Sequence, residues 1–393
     1  MRIKMKKGSL LLLACLPLAC MLPAAYAEIE SDLSTKARST IPPPRLQASS
    51  WLLMDAGTGT VIAAQDPDQR IEPASLSKLM TAFIVFREIK RGTLSLDEEV
   101  VVSEKAWRTQ GSRMFIEPGD RVRVEDLVLG LIVQSGNDAA VALAEHVAGS
   151  EDGFADLMNR AGTSIGLENT HFVNSTGLPH PDHFSSARDL SLLTAAIIRD
   201  QPEHFGYYAI REFTWNGITQ KNRNPLLGRD ETVDGVKTGH TSSAGYCLIG
   251  SSERKGMRLI GSVMGSRSNR ERADSVYALL KFGFAAYESH DLYQAGARIL
   301  STGVFKGVVP EVNVGLADTV QLVLPKGSGA GLEAVIELVD PLVAPLVQGQ
   351  QVGTLAITLG GEPLLTRPLV ALAAVASGSW FDAMVDSVRL WFH

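Results

Sequence analysis

Pro73-Ala74-Ser75-Leu76-Ser77-Lys78 leads directly into Leu79-Met80-Thr81-Ala82-Phe83-Ile84-Val85-Phe86-Arg87-Glu88-Ile89-Lys90-Arg91-Gly92. The spacing predicts a helix over Ser75–Arg91. Leu76, Leu79, Met80, Phe83, Ile84, Val85, Phe86 and Ile89 cover nearly every side of it, and a helix apolar all round belongs inside a domain. Gly92 supplies the stop. Ser75 and Lys78 stand one turn apart, so their side chains share a face. Before this helix, Gly57-Thr58-Gly59 breaks apolar runs over about Trp51–Ala64, which reads as a strand pair. After it, helices are expected at Val124–Val133, Ala139–Val147, Gly153–Ile165, Ser186–Asp200 and Arg270–Tyr287. Strands at about Ala244–Ser251 and Arg258–Met264 are joined through Glu253-Arg254-Lys255-Gly256.

The texture changes after about His290. Short runs at Thr319–Leu324, Ala334–Val339, Gly353–Leu359 and Leu369–Leu372 alternate with Gly and Pro turns. Val320, Leu322 and Leu324 recur at period two, as do Leu355, Ile357 and Leu359, the pattern of a small two-sheet all-β domain. That domain has no catalytic motif and is expected to act as a stalk or a partner platform.

Both ends carry addressing signals. Arg2, Lys4, Lys6 and Lys7 precede an apolar run from Leu10 to Leu22, and Ala25-Tyr26-Ala27 is a small-x-small cleavage site, so residues 1–27 read as a signal peptide. Their removal takes away four positive charges and moves the formal net charge of the 393-residue chain from −6 to −10. That balance argues against nucleic-acid binding. Of Cys15, Cys20 and Cys247, only the last stays, so no internal disulfide forms, and its apolar strand makes an inert thiol. At the other end Phe381, Met384, Val385, Val388, Trp391 and Phe392 fall on one helical face behind Trp380, with Asp382, Asp386 and Arg389 opposite. The segment is too short to span a bilayer and is expected to lie in its surface.

Three short motifs follow in order: Ser75-Leu76-Ser77-Lys78, Ser135-Gly136-Asn137 and Lys237-Thr238-Gly239. Each is common by chance; their order and setting are not. The first opens a buried helix, the second sits in the break between two apolar helices, and the third precedes a hairpin strand. Together they resemble the set Ser-x-x-Lys, Ser-Asp-Asn and Lys-Thr-Gly of penicillin-binding proteins and class A β-lactamases. The chemistry needs these residue types. A serine attacks only when a base takes its proton, and Lys78 serves as base only when neutral, a state favoured by burial beside a second cation, Lys237. Ser135 can pass a proton to the leaving group and Asn137 can hold a substrate amide. Lys237 and Thr238 can bind a carboxylate. The N–H of Ser75, with one from the strand after Gly239, would form an oxyanion hole.

These strings, with Gln134-Ser135-Gly136-Asn137-Asp138-Ala139, Asn169-Thr170-His171-Phe172, Ser185-Ser186-Ala187-Arg188-Asp189 and Val233-Asp234-Gly235-Val236-Lys237-Thr238-Gly239-His240-Thr241, resemble the serine-type D-alanyl-D-alanine carboxypeptidases, the low-molecular-mass penicillin-binding proteins. The resemblance covers nearly the whole chain. It implies an α/β serine DD-peptidase/β-lactamase-like catalytic domain, an antiparallel sheet with helices on both faces, then the small all-β sandwich and a C-terminal amphipathic helix. The expected boundaries are 1–27 for the leader, 28–290 for the catalytic domain, 291–376 for the β domain and 377–393 for the anchor. It also implies removal of the terminal D-alanine of the peptidoglycan pentapeptide through an acyl-serine, covalent inhibition by β-lactams, and a place on the periplasmic face of the bacterial inner membrane. By the same resemblance Ser75 is the nucleophile, Lys78 the base, Ser135 and Asn137 the second catalytic element, and Lys237 a substrate lysine. Thr238, Gly239, His240, Arg223 and Arg272 join it in substrate binding. No cofactor or metal is implied, and His180-Pro181-Asp182-His183 reads as a solvated loop. Gln110–Phe115 resembles the family's active-site rim, and Thr176-Gly177-Leu178 stands where the family has a His-Gly-Leu-like triplet, with no role attached. A β-lactamase reading lacks a matching deacylating glutamate, since Glu168-Asn169 has the wrong spacing. A catalytically idle wall-binding protein would not keep all three motifs.

Overall fold

The structure is a computed structural model, and it describes residues 2–7, 41–380, 384 and 386. The cleavage site of the leader and most of the C-terminal helix lie outside the described residues. The chain divides into two units, Ile41–Ala286 and a second built mainly from Tyr287 onward.

The first unit is organised on a five-stranded antiparallel sheet. Its strands are β1 (Ser50–Asp55), β2 (Val61–Gln65), β3 (Val233–Thr241), β4 (Gly245–Arg254) and β5 (Met257–Ser266), in the order β2-β1-β5-β4-β3. Lys255 and Gly256, both with positive φ, make the tight turn between β4 and β5, the backbone that a two-residue hairpin requires. Lys237-Thr238-Gly239 precedes the hairpin strand β4 as expected, but is itself part of a strand, β3. Asp234, Gly235 and Lys237 interrupt the apolar pattern there, which hid the strand from a periodicity reading.

The main helices are α1 (Lys78–Arg91), α2 (Asn137–Ala148), α3 (Glu151–Ser164), α4 (Ala187–Asp200) and α5 (Asn269–Ala286). They cover both faces of the sheet. Gly250 and Gly261 pair across β4 and β5 and lie under Val276 of α5. On the opposite face, Ser262 of β5 meets Ser191 of α4 at 2.6 Å. The helix expected from Ser75 begins as a 3-10 turn, Ala74–Ser77, and becomes α-helical at Lys78, ending at Gly92 in the left-handed region. α1 is buried over Lys78–Phe86. Val124–Leu129 runs into a π turn, Gly130–Gln134, ahead of Ser135.

In the second unit, β6 (Tyr287–Tyr293), β7 (Arg298–Gly303), β8 (Glu311–Gly315), β9 (Val320–Pro325), β10 (Leu332–Leu338), β11 (Gln351–Leu359) and β12 (Glu362–Ala371) form a sheet of order β10-β11-β12-β8-β7 and a two-stranded ladder of β6 with β9. Arg2–Lys7 runs parallel along β10 as a sixth strand of the larger sheet. Val320, Leu322 and Leu324 share one core with Val314, Ile336, Leu355 and Ile357. The expected two-sheet core is present, but its second layer is only a ribbon. β6, β7 and β8 were not visible in the sequence, because Glu288, Ser289, His290 and Asp291 in β6, Ser301 and Thr302 in β7, and Glu311 and Asn313 in β8 dilute their apolar alternation.

A Cβ at Gly250 would stand 2.7 Å from Val276 Cγ1 and 3.1 Å from Leu226 Cδ1. Gly250→Val is therefore expected to cost about 1–3 kcal/mol by overpacking, read as a lower urea midpoint with an unchanged slope.

Candidate active site

Three segments far apart in sequence meet at one cleft. The first is the turn at Ala74–Ser77, entered through Ala74, whose φ of +49° is a left-handed value unusual for alanine. It presents Ser75 part-exposed and Lys78 only 1% exposed. Lys78 Nζ donates to Asn137 Oδ1 at 2.6 Å and to the Thr176 carbonyl at 2.7 Å, and lies 3.1 Å from Ser75 Oγ. Burial lowers its pKa from 10.5 to about 7. The Asp138 carboxylate opposes that shift and the Arg223 cation adds to it.

The second segment follows the π turn. Ser135 sits in the left-handed region at φ +62°, which ends that turn and aims its hydroxyl across the cleft. Asn137 begins α2. Its Nδ2 donates to the Gln110 carbonyl at 2.5 Å while its Oδ1 accepts from Lys78, which fixes the orientation of the amide. The next residue, Asp138, is buried and accepts from the N–H groups of Met114, Phe115 and Ile116. The segment expected to form a rim is thus tied to the start of α2, and Phe115 stands 49% exposed at its tip.

The third segment is β3, at the edge of the sheet. Lys237 Nζ donates to Ser135 Oγ at 2.8 Å. Its pKa falls well below the ordinary lysine value through burial, then through the charges of Lys78, Arg223 and Arg272. Thr238 is 5% exposed. Gly239 lies so close to the nucleophile turn that a Cβ there would be 2.8 Å from the Pro73 carbonyl and 3.3 Å from Ala74 Cβ. His240 is exposed and its ring packs at a tilt against Tyr246, 4.0 Å between centroids. At the end of β3, Thr241 and Ser243 both donate to Glu72, two residues before Ala74.

The two arginines are placed differently. Arg223 is exposed and its Nε donates to the Gln134 carbonyl at 2.9 Å, next to Ser135. Arg272 is buried, with one nitrogen donating to the Gly239 carbonyl at 2.8 Å and the Cys247 carbonyl at 3.1 Å. Cys247 is fully buried and its thiol pKa is raised to about 11 by burial.

Two features were missed in the sequence. Thr176-Gly177 supplies a carbonyl to Lys78, and Gly177 packs directly on the Ala74 carbonyl. His183 is not part of a solvated loop: it is 2% exposed and lies 2.8 Å from Ser77 Oγ, whereas His180 and Asp182 are exposed. Neither feature has a periodic signal: Thr176 acts through a carbonyl that any residue carries, Gly177 through its lack of a side chain, and the burial of His183 depends on Ser77, far away in the sequence.

A serine with a buried, neutralisable lysine, a second serine bridging to a second buried lysine, and an edge strand beside them define a serine acyl-transfer site of the penicillin-recognising kind. Residues 36–268 match the D-alanyl-D-alanine carboxypeptidase family, and residues 287–377 match the penicillin-binding protein 5 C-terminal domain. The chain belongs to that carboxypeptidase family. It is 40% identical to D-alanyl-D-alanine carboxypeptidase DacC of Escherichia coli K12, over 94% of each chain. It is 32% identical to DacF of Bacillus subtilis, over 98% of this chain and 99% of that one. Penicillin-binding protein 5 from Haemophilus influenzae superposes with a TM-score of 0.82 at 39% identity, over 86% of this chain and all of that one. Penicillin-binding protein D2 of Listeria monocytogenes, solved in an ampicillin-bound form, superposes at 0.57 and 31% identity, over 62% of this chain and all of that one.

A Cβ on Gly177, itself at φ +81°, would lie 1.7 Å from the Ala74 oxygen. Gly177→Ala is expected to push the nucleophile turn out of place and to lower penicillin acylation by about 100-fold or more, the scale of a misplaced reacting group. Stopped-flow acylation of the folded variant measures it.

Proposed function

We propose that this enzyme removes the terminal D-alanine of peptidoglycan pentapeptides through an acyl intermediate on Ser75, and that β-lactams acylate the same oxygen. The observation that carries the reading is the setting of Lys78. A neutral amine has two N–H groups and one lone pair. The Asn137 and Thr176 oxygens take the two N–H groups at 2.6 and 2.7 Å, which leaves the lone pair directed at the Ser75 hydroxyl 3.1 Å away. With a pKa of about 7, the amine is neutral often enough near neutral pH to accept that proton.

The remaining steps follow the same geometry. Attack by Ser75 Oγ on the scissile carbonyl builds a negative oxygen, which the N–H of Ser75 and one on β3 after Gly239 would bind. Ser135, held by Lys237, lies on the far side and delivers a proton to the departing D-alanine nitrogen. Lys237 and Thr238 meet the substrate carboxylate, with Arg223 adding positive charge at the cleft mouth. Arg272 shapes that site from behind, through the Gly239 carbonyl. His240, exposed on the same strand, lines the entrance. Water then takes the place of the amine and releases the shortened peptide.

The reading places the mature enzyme on the periplasmic face of the inner membrane after cleavage at Ala27, held by the C-terminal segment. Support comes from the base of that segment: Trp380 and Met384 are 75% and 55% exposed, while the Lys306 N–H donates to Asp386 at 2.7 Å. Asp386 thus faces the β unit, while Trp380 and Met384 are open to the outside.

Ser75→Ala is expected to abolish D-alanine release and covalent penicillin labelling together; a labelled Ser75→Ala protein would sink the assignment. For the wild type, kcat/KM should rise with pH through about 7, because a lysine lowered to that value is protonated and idle below it and free to act above it. Lys78→Arg, protonated throughout, should show no such rise and almost no activity. Deleting 378–393 is expected to release the protein into the soluble periplasmic fraction with its activity intact. High salt should not extract the full-length protein, since apolar burial rather than charge would hold it. Extraction by salt alone contradicts the anchor.

A further inference from the structure

His183 lies outside the three motifs, yet it ends a directed chain of hydrogen bonds that reaches the nucleophile. Val173 N–H donates to His183 Nδ1 at 3.2 Å. That contact requires a lone pair on Nδ1, so the proton of the neutral ring sits on Nε2. Nε2 faces Ser77 Oγ at 2.8 Å, and Ser77 Oγ faces the Ala74 carbonyl at 2.9 Å. The Ala74 oxygen can only accept, so Ser77 donates to it and His183 donates to Ser77. Every proton in the chain has one place to go. The ring is kept neutral at working pH, its pKa lowered to about 4 by burial first and then by its neighbours His171, His180 and Lys78. It is also fixed edge-on against Phe172, 5.7 Å between centroids.

The end of this chain matters because of what the Ala74 carbonyl is bonded to. Its carbon carries the nitrogen of Ser75. The peptide is planar and not cis, so its C=O and N–H point in opposite directions and turn together. Grasping the Ala74 oxygen from the buried side therefore aims the Ser75 N–H toward the cleft. Ala74 needs such a hold, since its left-handed φ is one an alanine leaves readily when nothing opposes it. Gly177 closes on the same oxygen and blocks its other exit.

We propose that His183 is a positioning residue, acting through Ser77 and the Ala74–Ser75 peptide plane to preorganise the oxyanion-binding N–H of the nucleophile. It touches neither substrate nor the reacting atoms. The inference rests on Ser75 being the nucleophile.

The test uses the full-length enzyme and three variants. His183→Phe removes both polar ends of the ring, Ser77→Ala removes the middle of the chain, and His183→Gln keeps an N–H to donate and an oxygen to accept. Active-site titration with a fluorescent penicillin first counts acylatable sites, and every rate is expressed per site. His183→Phe and Ser77→Ala should each lower the acylation rate constant about 10- to 100-fold, short of or near the loss of a whole oxyanion donor. They should weaken a peptide-mimicking boronic acid, whose tetrahedral adduct uses that N–H, by a similar factor. KM for a D-Ala-D-Ala peptide should stay within about threefold, since ground-state binding does not depend on an oxyanion donor. The pH midpoint near 7 should not move, because no proton of Lys78 is involved. The double variant should be no slower than the worse single one, as for two links of one chain, and His183→Gln should recover most of the rate. Additive losses, a shifted pH midpoint, or a folded His183→Phe enzyme with the wild-type rate per site would overturn the proposal. A wild-type protein with no titratable site would overturn the Ser75 reading instead, and this proposal with it.

Discussion

An uncompensated charge inside a protein is expensive, on the order of several kcal/mol even after the surroundings relax. The catalytic unit is built around that cost. Lys78 and Lys237 are both buried, 1% and 3% exposed, with Arg272 close behind at 6%. Burial lowers the pKa of both lysines, and neighbouring cations add to the shift, with the Asp138 carboxylate opposing it at Lys78. The fold thereby makes a base from a residue that is ordinarily an acid at neutral pH. The carbonyl of Thr176, the amide of Asn137 and the hydroxyl of Ser135 supply the hydrogen-bond partners that let neutral or charged amines stay inside.

The rest of the architecture holds those partners still. Asn137 is fixed on both sides of its amide, and its neighbour Asp138 collects the N–H groups of residues 114–116. Edge strand β3 comes within contact of the nucleophile turn only because Gly239 has no side chain. Ala74 and Ser135 both take left-handed backbone conformations next to reacting groups. Strain concentrated at the site and absorbed by the surrounding packing is the pattern expected where geometry is set by function.

Much of this was legible in the sequence, and the reason differs by residue. α1 was legible because Leu76 to Ile89 leave no polar face, and α2 to α5 because their apolar periods are long. Ser75, Lys78, Ser135, Asn137 and Lys237 were legible because their side chains do the work, so the residue types cannot vary freely. β3 was not recognised as a strand, since its middle is polar and glycine-rich for the sake of the cleft. β6 to β8 were hidden by exposed polar positions. His183 was misread, because whether a histidine is solvated depends on a serine 106 positions earlier in the chain. Thr176 and Gly177 act through a carbonyl and through the lack of a Cβ, neither of which leaves a pattern.

The order of strands in the catalytic sheet also constrains when the protein can become active. β1, made of Ser50–Asp55, pairs with β5 at Met257–Ser266. Ser75 and Lys237 are brought together only through that closure of the chain on itself. Such non-local pairing is slow, because the entropy of a loop some 200 residues long is spent before any contact repays it. A chain still emerging, or stretched through a narrow passage, therefore has no cleft, no neutral lysine and no reactive serine. The chemistry becomes available only once β5 and β3 have taken their places, so a hydrolase of this build is harmless to anything it meets before that point.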